Sequence, residues 1–205
     1  MDIYIIRHGQ SMADIENKCE GNYDSPLTAL GKEQASKLSL YYKQNKILFD
    51  KIYTSSLTRA KETAQIISKN QNCDIISTEL IKEMDNGIWA GMPKEERNAK
   101  YPPKGNPPYF KAFDEPIPWG ESYKDLAQRA YEVKKQIIDQ NNNSSIAIVS
   151  HGGFINALLG TILNDGLLED YFHTIFPTGD TGWHLLQKKN GFTYFRQVNC
   201  QKHLL

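Results

Sequence analysis

The sequence predicts a three-layer α/β/α sandwich with a mainly parallel central sheet, because strand-like and helix-like segments alternate along most of its 205 residues. Two short apolar runs, residues 3–6 and 146–150, are continuous, as is typical of parallel strands buried on both faces. Each run is closely followed by a His-Gly pair. The carboxyl ends of such strands border the ligand crevice in open α/β sheets. Both histidines are therefore expected at one site.

Six segments are predicted as strands: residues 2–6, 50–53, 74–77, 145–150, 182–187 and 192–198. The last two are joined by residues 188–191, and the Asn190-Gly191 pair in this connection is typical of a tight β-hairpin. The two strands of a hairpin are necessarily antiparallel. The earlier strands are separated by helical patterns and so fit a parallel arrangement.

Helices are predicted at residues 29–44, 57–69, 122–139 and 153–163. Thr28 is a candidate N-cap for the first of them. In the third, apolar residues recur at near-helical spacing with lysine and glutamate between them, so one face belongs to the core and the other to solvent. These helices cover the two faces of the predicted sheet.

Residues 93–118 differ from the rest because they contain seven prolines interleaved with aromatic residues. Regular helix or strand cannot run through most of such a segment. Long irregular segments in compact domains are more often lids or binding loops than passive connections. We expect a cap insertion over the pocket of one domain that spans residues 1–205. A plain surface loop is the alternative.

Charge and cysteine content exclude several function classes. The 24 Lys and Arg residues balance the 24 Asp and Glu residues, so no overall field favours nucleic acid or an anionic membrane. A small-molecule partner is expected instead. Cys19, Cys73 and Cys200 lack the spacing of a zinc site and suggest reduced thiols. No secretory signal and no apolar run of roughly 20 residues is found, which predicts a cytoplasmic protein.

Six stretches of the chain together carry a resemblance to a known family. They are RHGQS at 7–11, GNYDSPLTALG at 21–31, SSLTRAKETA at 55–64, LIKEMDNGIWAG at 80–91, GES at 120–122 and SHGG at 150–153. An RHG tripeptide alone is a weak signal, but its occurrence with the other five stretches in this order is specific. The chain resembles the histidine phosphatase, or phosphoglycerate mutase-like, superfamily, in particular its phosphatase branch. The resemblance implies a phosphoglycerate mutase-like fold.

The resemblance also implies five catalytic residues. His8 would be the nucleophile, since a neutral imidazole can approach a phosphate dianion and carry the phosphoryl group. Arg7, Arg59 and His151 would hold the non-bridging oxygens, and the planar guanidinium fork suits that role. Glu83 would protonate the departing oxygen and later take a proton from water. Neither a metal nor a cofactor is expected.

Further candidate substrate-binding residues are Ser11, Asp14, Gly21 and Gly152, in addition to Arg7 and Arg59. Asp14 is a departure, because much of the family has an asparagine there that donates to phosphate. An ionised carboxylate at this position would repel a dianion. Three explanations stay open: Asp14 turns away, a neighbouring arginine neutralises it, or the chain belongs to a narrower subgroup.

The expected activity is that of a metal-independent, histidine acid phosphatase-type phosphomonoesterase that hydrolyses small phosphate esters through phosphohistidine. Cofactor-dependent phosphoglycerate mutase-type transfer is one alternative, and noncatalytic binding of a phospho-ligand is another. The cap lacks an adjacent arginine pair and His151 precedes Gly-Gly, which favours the phosphatase. The aromatic residues of the cap suggest a substrate with apolar or ring character. A monomer and a homodimer are both compatible with the sequence.

Taken singly, the candidate residues have ordinary structural interpretations. Arg59 alone would be a solvated helix residue that pairs with Glu62, three positions along. Glu83 alone would be a surface carboxylate. The remaining histidines belong to none of the matching stretches and are expected to be structural: His173, His184 and His203.

Overall fold

A computed structural model describes residues 1–102, 113–141, 144–166 and 174–205. These residues contain a six-stranded sheet with the strand order β3-β2-β4-β1-β5-β6. The strands are β1 (Asp2–Arg7), β2 (Lys51–Ser55), β3 (Asp74–Thr78), β4 (Ser145–Ser150), β5 (Trp183–Lys189) and β6 (Phe192–Cys200). All six predicted strands are present, with ends that differ by at most two residues from the sequence prediction.

The sheet is mixed, with its parallel part at the centre. β1 pairs with β4, β4 with β2, and β2 with β3, all in parallel, whereas β5 is antiparallel to both β1 and β6. Arg7 is in register with Ser150, so the next residues along the two chains leave neighbouring strands at the same level. This register brings His8 and His151 together.

In the described ranges, six α-helices accompany the sheet: α1 (Met12–Ile15), α2 (Ala29–Gln44), α3 (Thr58–Ser68), α4 (Lys94–Lys100), α5 (Tyr123–Val133) and α6 (Gly152–Leu163). A π-helical turn, Lys134–Ile138, continues α5. Single 3₁₀ turns lie at Glu79–Ile81, Gly87–Trp89 and Lys202–Leu204. The four long predicted helices are thus present, while α1 and α4 are additional.

Apolar side chains of β1 point to two separate cores, as the continuous apolar run predicts. Ile5 lies in a buried cluster with Leu126 of α5 and Phe154 of α6. Ile6, pointing to the opposite face, lies in a cluster with Tyr42 of α2 and residues of α3. Helices therefore cover both faces of the sheet, and the predicted three-layer α/β fold is confirmed.

Helix α4 lies inside the segment predicted to be irregular. No proline occurs between Pro93, which precedes the helix, and Pro102, which follows it, so every backbone donor of α4 is available. After the helix, Tyr101 packs against the buried Trp89 with ring centroids 5.6 Å apart. Residues 103–112 of the predicted cap lie outside the described residues.

Two further observations concern the expectations from composition. In the parts of the chain that the structure describes, no helix is both long enough and apolar enough to cross a lipid bilayer. Cys19, Cys73 and Cys200 are all free thiols.

Candidate active site

The loop after β1 is tightly held at the end of the sheet. His8 donates its backbone N–H to Ser150 O of β4 at 3.0 Å and accepts from Thr181 N at 3.2 Å. Gly9 follows in close contact with the start of α2, where a Cβ on Gly9 would lie 2.5 Å from the carbonyl oxygen of Gly31. A side chain at position 9 would therefore displace the loop, which explains the glycine of the His-Gly pair.

His8 presents the lone pair of Nε2 to the site. Its Nδ1 lies 2.8 Å from the carbonyl oxygen of Gly9, which can only accept, so we place the ring proton on Nδ1. Nε2 accepts from Nε of Arg59 at 3.2 Å. Burial, reinforced by the positive charges of Arg59 and Arg7, holds the pKa of His8 well below its ordinary value of 6.5. The imidazole is consequently neutral at neutral pH.

His151 lies beside His8, with the two ring centroids 5.0 Å apart. Its Nε2 is 2.8 Å from Oγ of Ser55, and its buried Nδ1 has no hydrogen-bond partner among the described residues. Burial is again the main cause that lowers the pKa of His151 well below 6.5, followed by the charge of Arg59. A phosphoryl oxygen in front of the two rings would satisfy Nδ1.

Arg59, in the first turn of α3, is fully buried. Its Nη1 donates to Tyr23 O at 2.9 Å and its Nη2 to Gly21 O at 2.8 Å, so the guanidinium is fixed beside His8. The interpretation of Arg59 as a solvated partner of Glu62 is wrong. Glu62 instead accepts from the backbone N–H of Leu27 at 2.7 Å.

Arg7 and Asp14 lie close together, but Asp14 is turned towards Ser11. Its Oδ2 accepts from the Ser11 backbone N–H at 2.8 Å, which completes a capping box at the start of α1. Its Oδ1 is 4.0 Å from Nη2 of Arg7. Arg7 also donates to Thr178 O at 2.8 Å and lies 3.4 Å from Asp180. The carboxylate of Asp14 thus has a capping function that the sequence analysis did not assign.

Glu83 is bound by the N-terminus of α6. Its two carboxylate oxygens accept from the backbone N–H groups of Met84, Gly153 and Phe154 at 2.8 to 2.9 Å. A Cβ on Gly153 would lie 2.6 Å from Oε1 of Glu83, whereas one on Gly152 would meet nothing within 4 Å. A side chain at position 153 would therefore push the Glu83 carboxylate out of this arrangement, whereas Gly153, next to the predicted Gly152, leaves room for it.

A cleft of about 380 Å³ opens in front of these groups. Arg7, Asp14, Gly21 and Glu83 of the predicted set line it, while His8, Arg59 and His151 lie buried behind them. Its lining also includes residues that the sequence analysis did not select: Lys18, Glu20, Lys94, Arg97, Tyr123 and Asn156. Helix α4 thus contributes two cationic side chains to the cleft.

Glu20 is the most important of the residues that were missed. Its Oε1 accepts from Oγ of Ser11 at 2.5 Å and lies 3.4 Å from Nε of Arg59. Its Oε2 is 3.8 Å from Nε2 of His8. The available signal was its position directly before Gly21, the first residue of a matching stretch.

Comparison with known proteins identifies the family of the chain. The family model described as the histidine phosphatase superfamily (branch 1) matches residues 3–201. The chain belongs to the histidine phosphatase superfamily. The resemblance of the six sequence stretches is thereby confirmed, and the matched range includes every predicted site residue of this histidine phosphatase superfamily member.

The relatives include proteins named as phosphatases and a protein named as a phosphoglycerate mutase. A Bacillus subtilis protein named uncharacterized phosphatase PhoE is 34% identical over 160 residues, which are 78% of this chain and 76% of PhoE. The probable phosphoglycerate mutase GpmB of Escherichia coli is 31% identical over 168 residues, 80% of this chain and 75% of GpmB. A mutant phosphoserine phosphatase from Entamoeba histolytica, solved with phosphoserine, has 27% identity and a TM-score of 0.77, covering 100% of this chain and 99% of its own.

Proposed function

We propose that this superfamily member hydrolyses small phosphomonoesters through a phosphohistidine at His8, without a metal ion. The observation that carries the proposal is the nucleophile geometry: a neutral His8 whose Nε2 lone pair points towards Arg59, next to the unpartnered Nδ1 of His151. The relatives named as phosphatases support the hydrolytic reaction.

In the first step, Nε2 of His8 attacks phosphorus while the bond from phosphorus to the alcohol oxygen breaks. Arg59 would transfer the hydrogen bond of its Nε from His8 to a non-bridging oxygen as the new bond forms. Within the described part of the chain, the buried Nε of Arg7 and Nδ1 of His151 have no hydrogen-bond partner, and both are suited to the same oxygens. We assign the proton for the departing alcohol oxygen to Glu83, which lines the cleft.

In the second step, water attacks the phosphorus of phosphohistidine, and the bond from phosphorus to Nε2 breaks. Glu83, ionised after the first step, takes a proton from this water. Three backbone N–H groups stabilise its negative charge until that transfer. Phosphate is released, and neutral His8 is regenerated.

The other predicted substrate-binding residues would act in different ways: through a side chain, through the backbone or indirectly. Ser11 is buried, and its hydroxyl would turn towards a phosphate oxygen. Gly21 and Gly152 would act through their backbone, since Gly21 O already fixes Arg59. Asp14 would act indirectly through the capping box, and we do not assign it a phosphate contact.

Hydrolysis of para-nitrophenyl phosphate in the presence of EDTA tests this proposal. We expect release of phosphate by the wild type and loss of at least ~10³-fold in kcat for His8→Gln, because no other group supplies the covalent intermediate. Acid-sensitive, base-stable phosphate should be mapped to His8 after rapid quenching of the wild type. Glu33→Gln, a substitution of an exposed residue on α2, is the matched surface control.

The results separate the proposed function from its alternatives. Equal rates for wild type and His8→Gln would contradict the mechanism. Phosphate binding without turnover by either protein would identify a noncatalytic binding protein. A substrate panel with phosphoserine, 3-phosphoglycerate, sugar phosphates, nucleotides and aryl phosphates would test the expected preference for apolar or ring substrates.

A mutase-type transfer is a second candidate, because Lys18, Lys94 and Arg97 give the cleft positive charge beyond the phosphate cradle. That charge suits a substrate with a second anionic group, and the relative GpmB is named a probable phosphoglycerate mutase. Conversion of 3-phosphoglycerate to its 2-phospho isomer would support the mutase. Release of phosphate alone would support the phosphatase.

Three finer points complete the proposal. The matching model describes branch 1, so we propose a branch 1 phosphomonoesterase, and the designation as histidine acid phosphatase-type stays a prediction. A single domain with a cap formed by residues 93–118 and a cytoplasmic location are proposed from the sequence. The small phosphate ester is the proposed partner, and a monomer and a homodimer would be distinguished by light scattering.

A further inference from the structure

We propose that Glu20 is a resident anion of the phosphate cradle, which the phosphoryl group of a substrate must displace and which returns as phosphate departs. The inference rests on the proposed function, because it concerns the same cradle. It gives Glu20 a role in the release of phosphate, since the returning carboxylate competes with the product for the cradle.

The carboxylate occupies the place of phosphate oxygens. Its Oε1 accepts from Oγ of Ser11 at 2.5 Å and is 3.4 Å from Nε of Arg59, while Oε2 is 3.8 Å from Nε2 of His8. Ser11 and Arg59 are donors assigned to the phosphoryl group, and Nε2 is the attacking atom. Every contact described for the Glu20 carboxylate is therefore made with a group that would bind or attack phosphorus.

The burial of His8 also indicates that Glu20 must be displaced. His8 is only 1% exposed, whereas the side chain of Glu20 is 16% exposed and lines the cleft. A phosphoryl group approaching from the cleft meets Glu20 before it meets Nε2. Two anions within about 4 Å in a partly buried site repel each other, so the carboxylate and the dianion cannot share the cradle.

The competition weakens the binding of esters and of free phosphate alike, because both must displace the carboxylate. An ester keeps further contacts through its alcohol portion with the lining of the cleft, which includes Lys94, Tyr123 and Asn156. Inorganic phosphate has only the cradle contacts for which Glu20 competes. The resident carboxylate therefore favours release of phosphate after the second step.

Glu20→Gln tests the inference, because glutamine keeps the length and the oxygen acceptor but removes the charge. We expect inorganic phosphate to bind Glu20→Gln at least ~10-fold more tightly than wild type in isothermal titration calorimetry at pH 7.5. The inhibition constant of phosphate against para-nitrophenyl phosphate should fall by a similar factor. Glu33→Gln should match the wild type in each measurement.

Glu20→Ala provides a second variant that also lacks the amide, and it should likewise bind phosphate more tightly. Unchanged or weaker phosphate binding by both folded variants would overturn the inference, since Glu20 would then support the anion or leave it unaffected.

Calorimetry does not require turnover, which separates this inference from the proposed function. Tighter phosphate binding by Glu20→Gln in a protein that releases no phosphate would uphold the resident anion and contradict the phosphatase. Hydrolysis by the wild type combined with unchanged phosphate binding by both variants would uphold the phosphatase and contradict the resident anion.

Discussion

Two pairs of buried histidines in this molecule are alike in burial but differ in surroundings. His8 and His151 lie at the ends of β1 and β4, next to Arg59. His184 and His203 lie in the C-terminal part of the chain, where their Nε2 atoms are 2.9 Å and 2.8 Å from threonine hydroxyls. Burial lowers the pKa of both His184 and His203 to about 4.

The comparison shows that a buried histidine with a lowered pKa does not by itself indicate catalysis. An unpartnered ring nitrogen is not sufficient either, because Nδ1 of His203 is as unpartnered as Nδ1 of His151. What distinguishes the first pair is the nearby arginine charge and the mutual contact of the two rings. Anion binding requires that charge, whereas a structural histidine needs only a hydrogen bond.

The two pairs are nevertheless connected through the threonines. Thr178, whose hydroxyl contacts His184, accepts from Arg7 through its carbonyl oxygen at 2.8 Å. Thr181, whose hydroxyl contacts His203, donates its backbone N–H to His8 O. The C-terminal histidines therefore support the segment that carries Arg7 and His8, and they are not among the residues that line the cleft.

The largest effect is expected when one histidine of each pair is replaced by glutamine. His151→Gln removes a donor to the transferring phosphoryl group and should lower kcat/KM by about 10² to 10³-fold. His203→Gln removes only a structural hydrogen bond, so kcat/KM should stay within about threefold while stability falls by about 1 kcal/mol. Steady-state kinetics and urea unfolding at pH 7.5 measure both quantities.

A comparable loss of kcat/KM in the two variants would remove the distinction between the pairs. Circular dichroism of both proteins is needed first, since an unfolded His203→Gln would also be inactive. His184→Gln, which changes the other structural histidine, then repeats the comparison.

A smaller effect is expected in the pH profile when the charge beside the first pair is changed. Arg59 lowers the pKa of His8, so Arg59→Gln should raise that pKa, and protonation should inactivate the nucleophile at a higher pH. We expect the acid limb of kcat/KM to move to higher pH, since this limb reports the free enzyme. Arg59→Lys keeps the charge and should leave the limb near its wild-type position.

Both variants should have a lower maximal kcat/KM, because neither side chain reproduces the fixed guanidinium contacts with Gly21 and Tyr23. The informative quantity is thus the position of the limb and not its height. A limb that stays in place in Arg59→Gln would show that the arginine charge does not control the titration of His8.

Much of the fold could be predicted because its signals are local. The continuous apolar runs place β1 and β4 inside the sheet, and the Asn190-Gly191 pair marks the turn between β5 and β6. The proline content of the whole segment 93–118 does not reveal helix α4, because the prolines flank this helix and leave its interior free. Averages over a long window conceal a short regular element.

The site could be predicted only at residues that belong to recognisable motifs. Sequence resemblance selects His8, Arg59, Glu83 and His151, which the fold brings to one end of the sheet. It does not show which charge lies opposite which donor, and that is why Glu20 and the capping contact of Asp14 were missed. Such relations depend on side-chain direction in a loop, where no periodic pattern constrains the sequence.

The smallest expected effect concerns the stability of the protein at acidic pH, and it again compares the two pairs of histidines. His203 has a pKa of about 4 in the folded protein and an ordinary value of 6.5 when unfolded. Between these values the unfolded chain binds more protons, so the free energy of unfolding decreases as the pH falls from 6.5 towards 4. Each such histidine contributes a slope of at most ~1.4 kcal/mol per pH unit.

His203→Gln removes one of these groups and should flatten the slope by up to that amount, even though its stability at pH 7.5 is lower. Urea unfolding at pH 7, 6 and 5 compares the two slopes, and Glu33→Gln serves as the surface control. Equal slopes in wild type and His203→Gln would mean that His203 is protonated in the folded protein without penalty. The acid sensitivity would then have to come from His8, His151 and His184, in which burial also lowers the pKa.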